Sequence, residues 1–284
     1  MEIPAKYQRQ IRRFKPIEMN GLCLYPVTVE EWEEFSQARA AIEFVQQSLP
    51  VTYISMPLLQ AYYAIDIESV ADEQLPTGLL ARAMLFLALA LRVGVGESAE
   101  ARIKRFRIKA NPNDYRRLTA LTFSLDGEET VEITPILFQR ILPILAAQNG
   151  LTIHADTENP ELLHAESVLE AKRAMDIDVS IETLVSGVAA LSGAEEDEIY
   201  SWPILKLQER QRSIKRALDY LICSSAEAQG TTWKRGNPVP SPFFPRRQSG
   251  SVAAIPMNEF VGGNAQEAVN RALAGNSTGA EPAR

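Results

Sequence analysis

The chain has 284 residues and a net charge of −7, with 46% apolar and 23% charged residues. That composition belongs to a globular protein with one large or two ordinary cores, and the acidic balance excludes a bulk nucleic-acid binder. Two cysteines (Cys23, Cys223) and two histidines (His154, His164) exclude a disulfide framework, a Cys-rich zinc module and a multi-histidine metal site.

The N-terminus carries a basic stretch with Arg9, Arg12 and Arg13. Two short apolar runs, ending at Tyr25, flank Asn20-Gly21, a dipeptide that supplies the positive φ angles of a two-residue hairpin turn. Thr28-Val29-Glu30-Glu31 reads as a capping box, with the Thr28 hydroxyl accepting from the Glu31 amide. The following apolar spacing (Trp32, Phe35, Ala38, Ile42, Val45, Leu49) predicts one helix stopped by Pro50. A second helix is expected from Pro57. A third runs from Thr77 to Gly94 and is apolar all round at its centre, so it should be covered on every side. Its run from Ala83 to Leu91 is nine residues long, about half of what a membrane-spanning helix needs.

From Arg102 the pattern changes to basic and branched residues, and Leu118–Ser124 and Thr130–Ile133 alternate around Asp126-Gly127. This predicts a small three-stranded antiparallel sheet over about 102–134. Thr134-Pro135 opens the next helix and Asn149-Gly150 ends it, with Pro143 as a kink. Residues 154–160 read as a linker. Helices are then expected over Glu161–Ala174, from Ser180 to Gly193 with Ile181, Leu184, Val185, Val188 and Leu191 as its stripe, in the acidic turn at Glu195–Glu198, and from Trp202-Pro203 to about Ala228. Residues 236–284 hold six of 17 prolines and six of 15 glycines in about a sixth of the chain, which predicts a disordered tail with a short amphipathic helix at Ala265–Ala274. The expected architecture is α+β, mostly α: an N-terminal helical domain (1–153) with hairpin and inserted sheet, a helical C-terminal module (160–235) and a Pro/Gly-rich tail (236–284).

No catalytic constellation emerges. Gly94-Val95-Gly96 lacks the third glycine and the context of a dinucleotide fingerprint and reads as a helix stop. The His pair matches no ligand spacing, and the thiols read as core residues. The expectation is a protein without cofactor, metal or reaction. Three features carry binding readings. Arg102, Lys104, Arg105, Arg107, Lys109, Arg116 and Arg117, with Phe106 and Tyr115 interleaved, could bind single-stranded nucleic acid, although a charged sheet face or a protein partner is favoured. The stripe Trp32, Phe35, Ile42, Val45 and the stripe Leu207, Ile214, Leu218 could take a partner helix or be core. Phe243 and Phe244, set among alternating prolines, could dock in a groove on a partner or on the same chain.

Four passages together resemble the tail assembly chaperone-like proteins encoded near the tape-measure gene in phages and prophages of Gram-positive bacteria. They are Ile11–Ile17 leading to Gly21-Leu22-Cys23-Leu24-Tyr25-Pro26-Val27; Glu132-Ile133-Thr134-Pro135 through Gln148-Asn149-Gly150-Leu151; Asn159-Pro160-Glu161-Leu162; and Ser192-Gly193 through Tyr200-Ser201-Trp202-Pro203 to Pro240-Ser241. Pro242–Arg246 stands where that family ends in a Trp-Cys-Phe-Asp-Arg type sequence. The resemblance implies a cytoplasmic assembly factor of the host cell whose partner is the tape-measure or another tail protein, with homo-oligomer formation open. The alternative is a minor structural component kept in the virion tail or connector.

Overall fold

A computed structural model describes residues 3–44, 51–69, 75–125, 129–151, 153 and 180–230. The fold is α+β and mostly helical, with one two-stranded and one three-stranded antiparallel sheet. Backbone contacts group the chain into two compact units, 1–214 and 215–284. The first unit therefore contains residues on both sides of the expected 154–160 linker. That linker, the expected Glu161–Ala174 helix and the 236–284 tail lie outside the described residues.

Helix α1 (Ala5–Ile11) leads into strands β1 (Ile17–Met19) and β2 (Leu22–Leu24). Asn20 (φ 52°) and Gly21 (φ 77°) form the turn between them, as their chemistry requires, and pair Met19 with Leu22 and Ile17 with Leu24. The capping box forms differently from the expectation. The Thr28 hydroxyl donates to the Glu31 carboxylate (3.3 Å), while the Glu31 amide donates to the Thr28 carbonyl (3.1 Å). A single 3-10 turn (Val29–Glu31) then precedes α2 (Trp32–Ala38). The expected long helix stops early, in a second 3-10 turn at Arg39–Ala41. The buried Tyr62 hydroxyl donates to the Ala41 carbonyl, the acceptor that a continuing helix would offer to residue 45.

Helices α3 (Val51–Ile54), α4 (Leu58–Glu68) and α5 (Leu79–Leu91) follow. Every residue of α5 except Ala81 and Arg82 is buried, which makes it the central element of the core. Its start has no capping side chain of its own; Gly78 sits in the left-handed region (φ 72°). Asp66 of α4 supplies the cap instead, accepting from the amides of Leu79 (3.1 Å) and Leu80 (2.9 Å). A carboxylate there satisfies two orphan donors and complements the helix dipole. Asp66→Ala is expected to cost about 1–2 kcal/mol, read as a shift of the urea-unfolding midpoint.

Helix α6 (Ala99–Lys104), capped by Ser98, corrects the expected start of the sheet. Arg102 and Lys104 are helical, and the sheet begins at Arg107 with β3 (Arg107–Asn111), β4 (Asp114–Leu125) and β5 (Glu129–Ile133) in the order β3-β4-β5. Helix α7 (Pro135–Gln148) has Pro135 in its first turn, and Thr134 accepts from the Leu137 amide (3.2 Å). Helices α8 (Ile181–Ser192), α9 (Glu196–Tyr200) and α10 (Ile204–Ala228) complete the described chain. Ser180 caps α8, and Gly193 (φ 72°) ends it. Within its expected stripe, Val185 and Val188 are buried, but Leu191 is exposed. No described helix is long and apolar enough to cross a membrane.

The first unit is locked where three distant segments meet. Asn149, fully buried at the end of α7, accepts from the Val27 amide (2.9 Å) and donates to the Leu145 carbonyl (2.8 Å). Gln148 donates to the carbonyls of Lys15 (3.3 Å) and Leu24 (3.2 Å). The other side of the same strand-like segment pairs with the chain entering α10: Val29 donates to Trp202 and Ile204 to Val27, both at 2.9 Å. Gly150 (φ +67°) closes the junction, since a Cβ there would come within 2.4 Å of the Gln208 Oε1.

Candidate functional site

Among the described residues, no group of three or more His, Cys, Asp or Glu side chains could hold a metal ion. His154 and His164 lie outside those residues. Cys23 and Cys223 are free thiols, and both are half-buried, not core residues as expected. A charged cleft is lined by Glu30, Glu31, Glu34, Arg92, Glu97 and Arg102. Within it Glu31 pairs with Arg102, while Glu97 pairs with Arg105 beside it and Arg92 stacks on the Tyr25 ring.

The basic cluster does not form one cationic surface. Arg102 is buried (3% exposed); its Nη1 donates to Glu31 (2.9 Å) and its Nε to the Glu97 carbonyl (3.2 Å). Lys104 pairs with Glu100 (2.6 Å), and Arg105 makes a two-pronged pair with Glu97. Arg105 holds the Glu97 carboxyl below the ordinary carboxylate range, and Lys104 does the same to Glu100. Lys109 pairs with Glu132 (2.8 Å), and Arg116 lies 3.8 Å from Glu68. Only Arg107 and Arg117 of the seven have no acidic partner among the described residues.

The aromatic part of that reading also separates. Phe106 is buried against Phe123, with ring centroids 5.0 Å apart, so it offers no face to a base. Tyr115 is exposed, and its carbonyl is held by the Tyr63 hydroxyl (2.8 Å). The Gln60 amide donates to the Arg116 carbonyl (2.9 Å) and accepts from the Leu118 amide (2.7 Å), acting as a short substitute strand. The seven cations are thus spent mostly on internal carboxylates, and a phosphate backbone would have to displace them.

The two apolar stripes divide between core and surface. Phe35 and Ile42 are buried, and Trp32 is half-buried with its ring 5.9 Å from that of Phe35. Phe35 and Ile42 are therefore core, Trp32 is packed against it, and Val45 lies outside the described residues. On α10, Leu207 is buried and Ile214 packs against the core of the first unit, so these two take the core alternative and not the docking one.

The second unit, described by itself, begins within α10 and shows the opposite behaviour. Leu218 (43% exposed), Leu221 (61%) and Ile222 (66%) stand in solvent. At spacings of three and four residues they share one helix face. Leu221, Ile222, Ser225, Ala226 and Gln229 line a shallow groove on it. Leu221 and Ile222 were not among the expected docking residues. Leu221 continues the spacing of Leu207, Ile214 and Leu218, and nothing in that spacing tells where burial ends. Phe243 and Phe244 lie outside the described residues.

This face is mostly aliphatic, and no titratable side chain lines its groove. The chain matches no family model, and comparison with curated proteins and with solved structures likewise finds no match.

Proposed function

We propose that the protein is a phage tail assembly chaperone that holds the tape-measure protein, or another helical tail protein, during tail morphogenesis. The observation that carries this reading is the exposed aliphatic face formed by Leu218, Leu221 and Ile222 on the distal half of α10. A tape-measure protein is long and helical and needs its apolar stripe covered until the tail tube polymerises around it. An aliphatic helix face suits that task because non-directional apolar contact accepts many registers of a repeating client. The four passages quoted from the sequence support the same family reading.

Co-expression with the tape-measure protein of the same gene cluster tests the function. The expected result is a gain in soluble tape-measure protein and co-purification of the two. Leu221→Asp combined with Ile222→Asp is expected to weaken that association by at least about tenfold, because each substitution puts a carboxylate into the apolar contact. No gain in solubility and no co-purification would contradict the proposal. The alternative, a structural part of the tail or connector, predicts abundant copies in purified particles by mass spectrometry; the chaperone reading predicts their absence.

A further inference from the structure

The groove on α10 ends where the described chain ends. Gly230 (φ +95°) donates its amide to the Glu227 carbonyl (3.0 Å), and Gln229 donates to Ser225 (3.1 Å). A glycine with positive φ after a helix ends it, so the chain leaves the helix axis there. Another 54 residues follow, from Thr231 to Arg284. The groove is mostly aliphatic, with Ser225 and Gln229 as its polar groups and no charged side chain in its lining, so its occupant is recognised chiefly by apolar bulk and by the charges around it.

One following segment meets both conditions. Phe243 and Phe244 lie between Pro242 and Pro245, thirteen and fourteen residues past Gly230. Along α10, Leu221 lies only ~14 Å from Gly230, whereas thirteen extended residues span up to ~43 Å. The pair therefore reaches the groove with slack, and a tether of this length keeps its local concentration in the millimolar range. The flanking prolines reduce the conformational freedom lost on docking.

Charge agrees with a return path along the helix. Asp219 and Glu227 make no ion pair among the described residues. A segment running back from Gly230 would bring Lys234 and Arg235 past Glu227, then the two phenylalanines over the groove, then Arg246 and Arg247 toward Asp219.

We infer that Phe243 and Phe244 dock in cis on the groove formed by Leu221, Ile222 and Ala226, and that a client helix gains the face by displacing them. The displacement rests on the client reading above; the contact itself does not. The chain then carries its own exchangeable cover for an aliphatic face that would otherwise associate indiscriminately.

The test uses the full chain and the apolar dye 8-anilinonaphthalene sulfonate. Phe243→Ser with Phe244→Ser is expected to raise dye fluorescence several-fold, and to raise nothing when Leu221→Asp and Ile222→Asp are also present. Arg246→Glu with Arg247→Glu is expected to raise it too, and Asp219→Arg to reverse that rise. Leu221 and Ile222 are exposed, Asp219 is half-buried and the other positions lie past the last described helix, and far-ultraviolet circular dichroism checks that each variant is folded. An unchanged signal, or an equal rise in the Asp-substituted background, would overturn the contact. A signal that depends on protein concentration would overturn it as well, because a second copy would then be the occupant. Client capture with no response to the Phe substitutions would sink the cover and leave the proposed function standing; the dye response without any client capture would do the reverse.

Discussion

Glu31→Ala is expected to destabilise the first unit by about 3 kcal/mol, the largest effect of any single polar substitution in it. The reason is what remains. Arg102 keeps its charge at 3% exposure after its carboxylate partner at 2.9 Å has gone. Its surviving contact, the Glu97 carbonyl at 3.2 Å, satisfies one of five donors and neutralises nothing. Glu31 itself is partly exposed, so water offsets some of the loss, and the lower end of the range for a broken buried pair applies. Arg102→Met in the same chain is expected to recover most of the stability, since neither charge is then buried. Lys104→Ala removes an equally short ion pair in solvent and is expected to change stability by less than about 0.5 kcal/mol. Urea unfolding of the four proteins checks the set. A Glu31 variant as stable as the Lys104 variant would mean that Arg102 is not buried on Glu31.

Asn149→Ala is the second large expectation, a loss of about 2–3 kcal/mol. The side chain is fully buried and makes two bonds of opposite kind, accepting from Val27 and donating to Leu145. Truncation orphans the Val27 amide with no water at hand, and that desolvation cost exceeds the net worth of the bond itself. The same Val27 accepts from Ile204, so loosening it also loosens the entry to α10. Asn149→Asp keeps the acceptor but sets a carboxylate against the Leu145 carbonyl, so it should be no better than alanine. A fall in melting temperature for both variants is the expected result. A change within about 0.5 kcal/mol in either would show that the junction does not hold the unit together.

Local chemistry made much of this fold legible. The Asn20-Gly21 turn, the Thr134 and Ser180 caps and the Gly193 stop each depend on a few neighbouring residues, and each formed as read. The departures depend on partners far along the chain. The helix from Trp32 stops at Ala38 where the Tyr62 hydroxyl, 21 positions beyond Ala41, takes that carbonyl. Thr28 does not cap as expected: the Glu31 amide bonds the Thr28 carbonyl, and the Glu31 carboxylate serves both the Thr28 hydroxyl and Arg102, 71 positions away. Asp66 caps a helix that has no cap of its own, across 13 positions.

The exposed aliphatic face was harder to read for a related reason. Phe35, Leu207 and Leu221 occur in equally regular apolar stripes, yet the first two are core and the third stands in solvent. Periodicity identifies the face of a helix and not what covers it. The pairing of the basic cluster was also hard to read. Of its carboxylate partners, Glu100 is local, one helical turn before Lys104, but Glu31, Glu68 and Glu132 are far along the chain and meet their cations only in the fold.

The passages that carry the family resemblance have a physical meaning of their own. Leu24 to Val27, Gln148 to Gly150 and Trp202-Pro203 meet at one junction, where backbone hydrogen bonds and a close glycine contact leave little choice of residue. Their chemistry fixes the fold of the first unit. The proposed work of the protein lies elsewhere, on the distal half of α10.

Hydrogen–deuterium exchange of the full chain, alone and with the co-purified tape-measure protein, is the most direct measurement of that claim. The account predicts that the client slows exchange over residues 215–229 and leaves the β3–β4 hairpin, residues 107–117, unchanged. Protection of the hairpin with no change over 215–229 would contradict it.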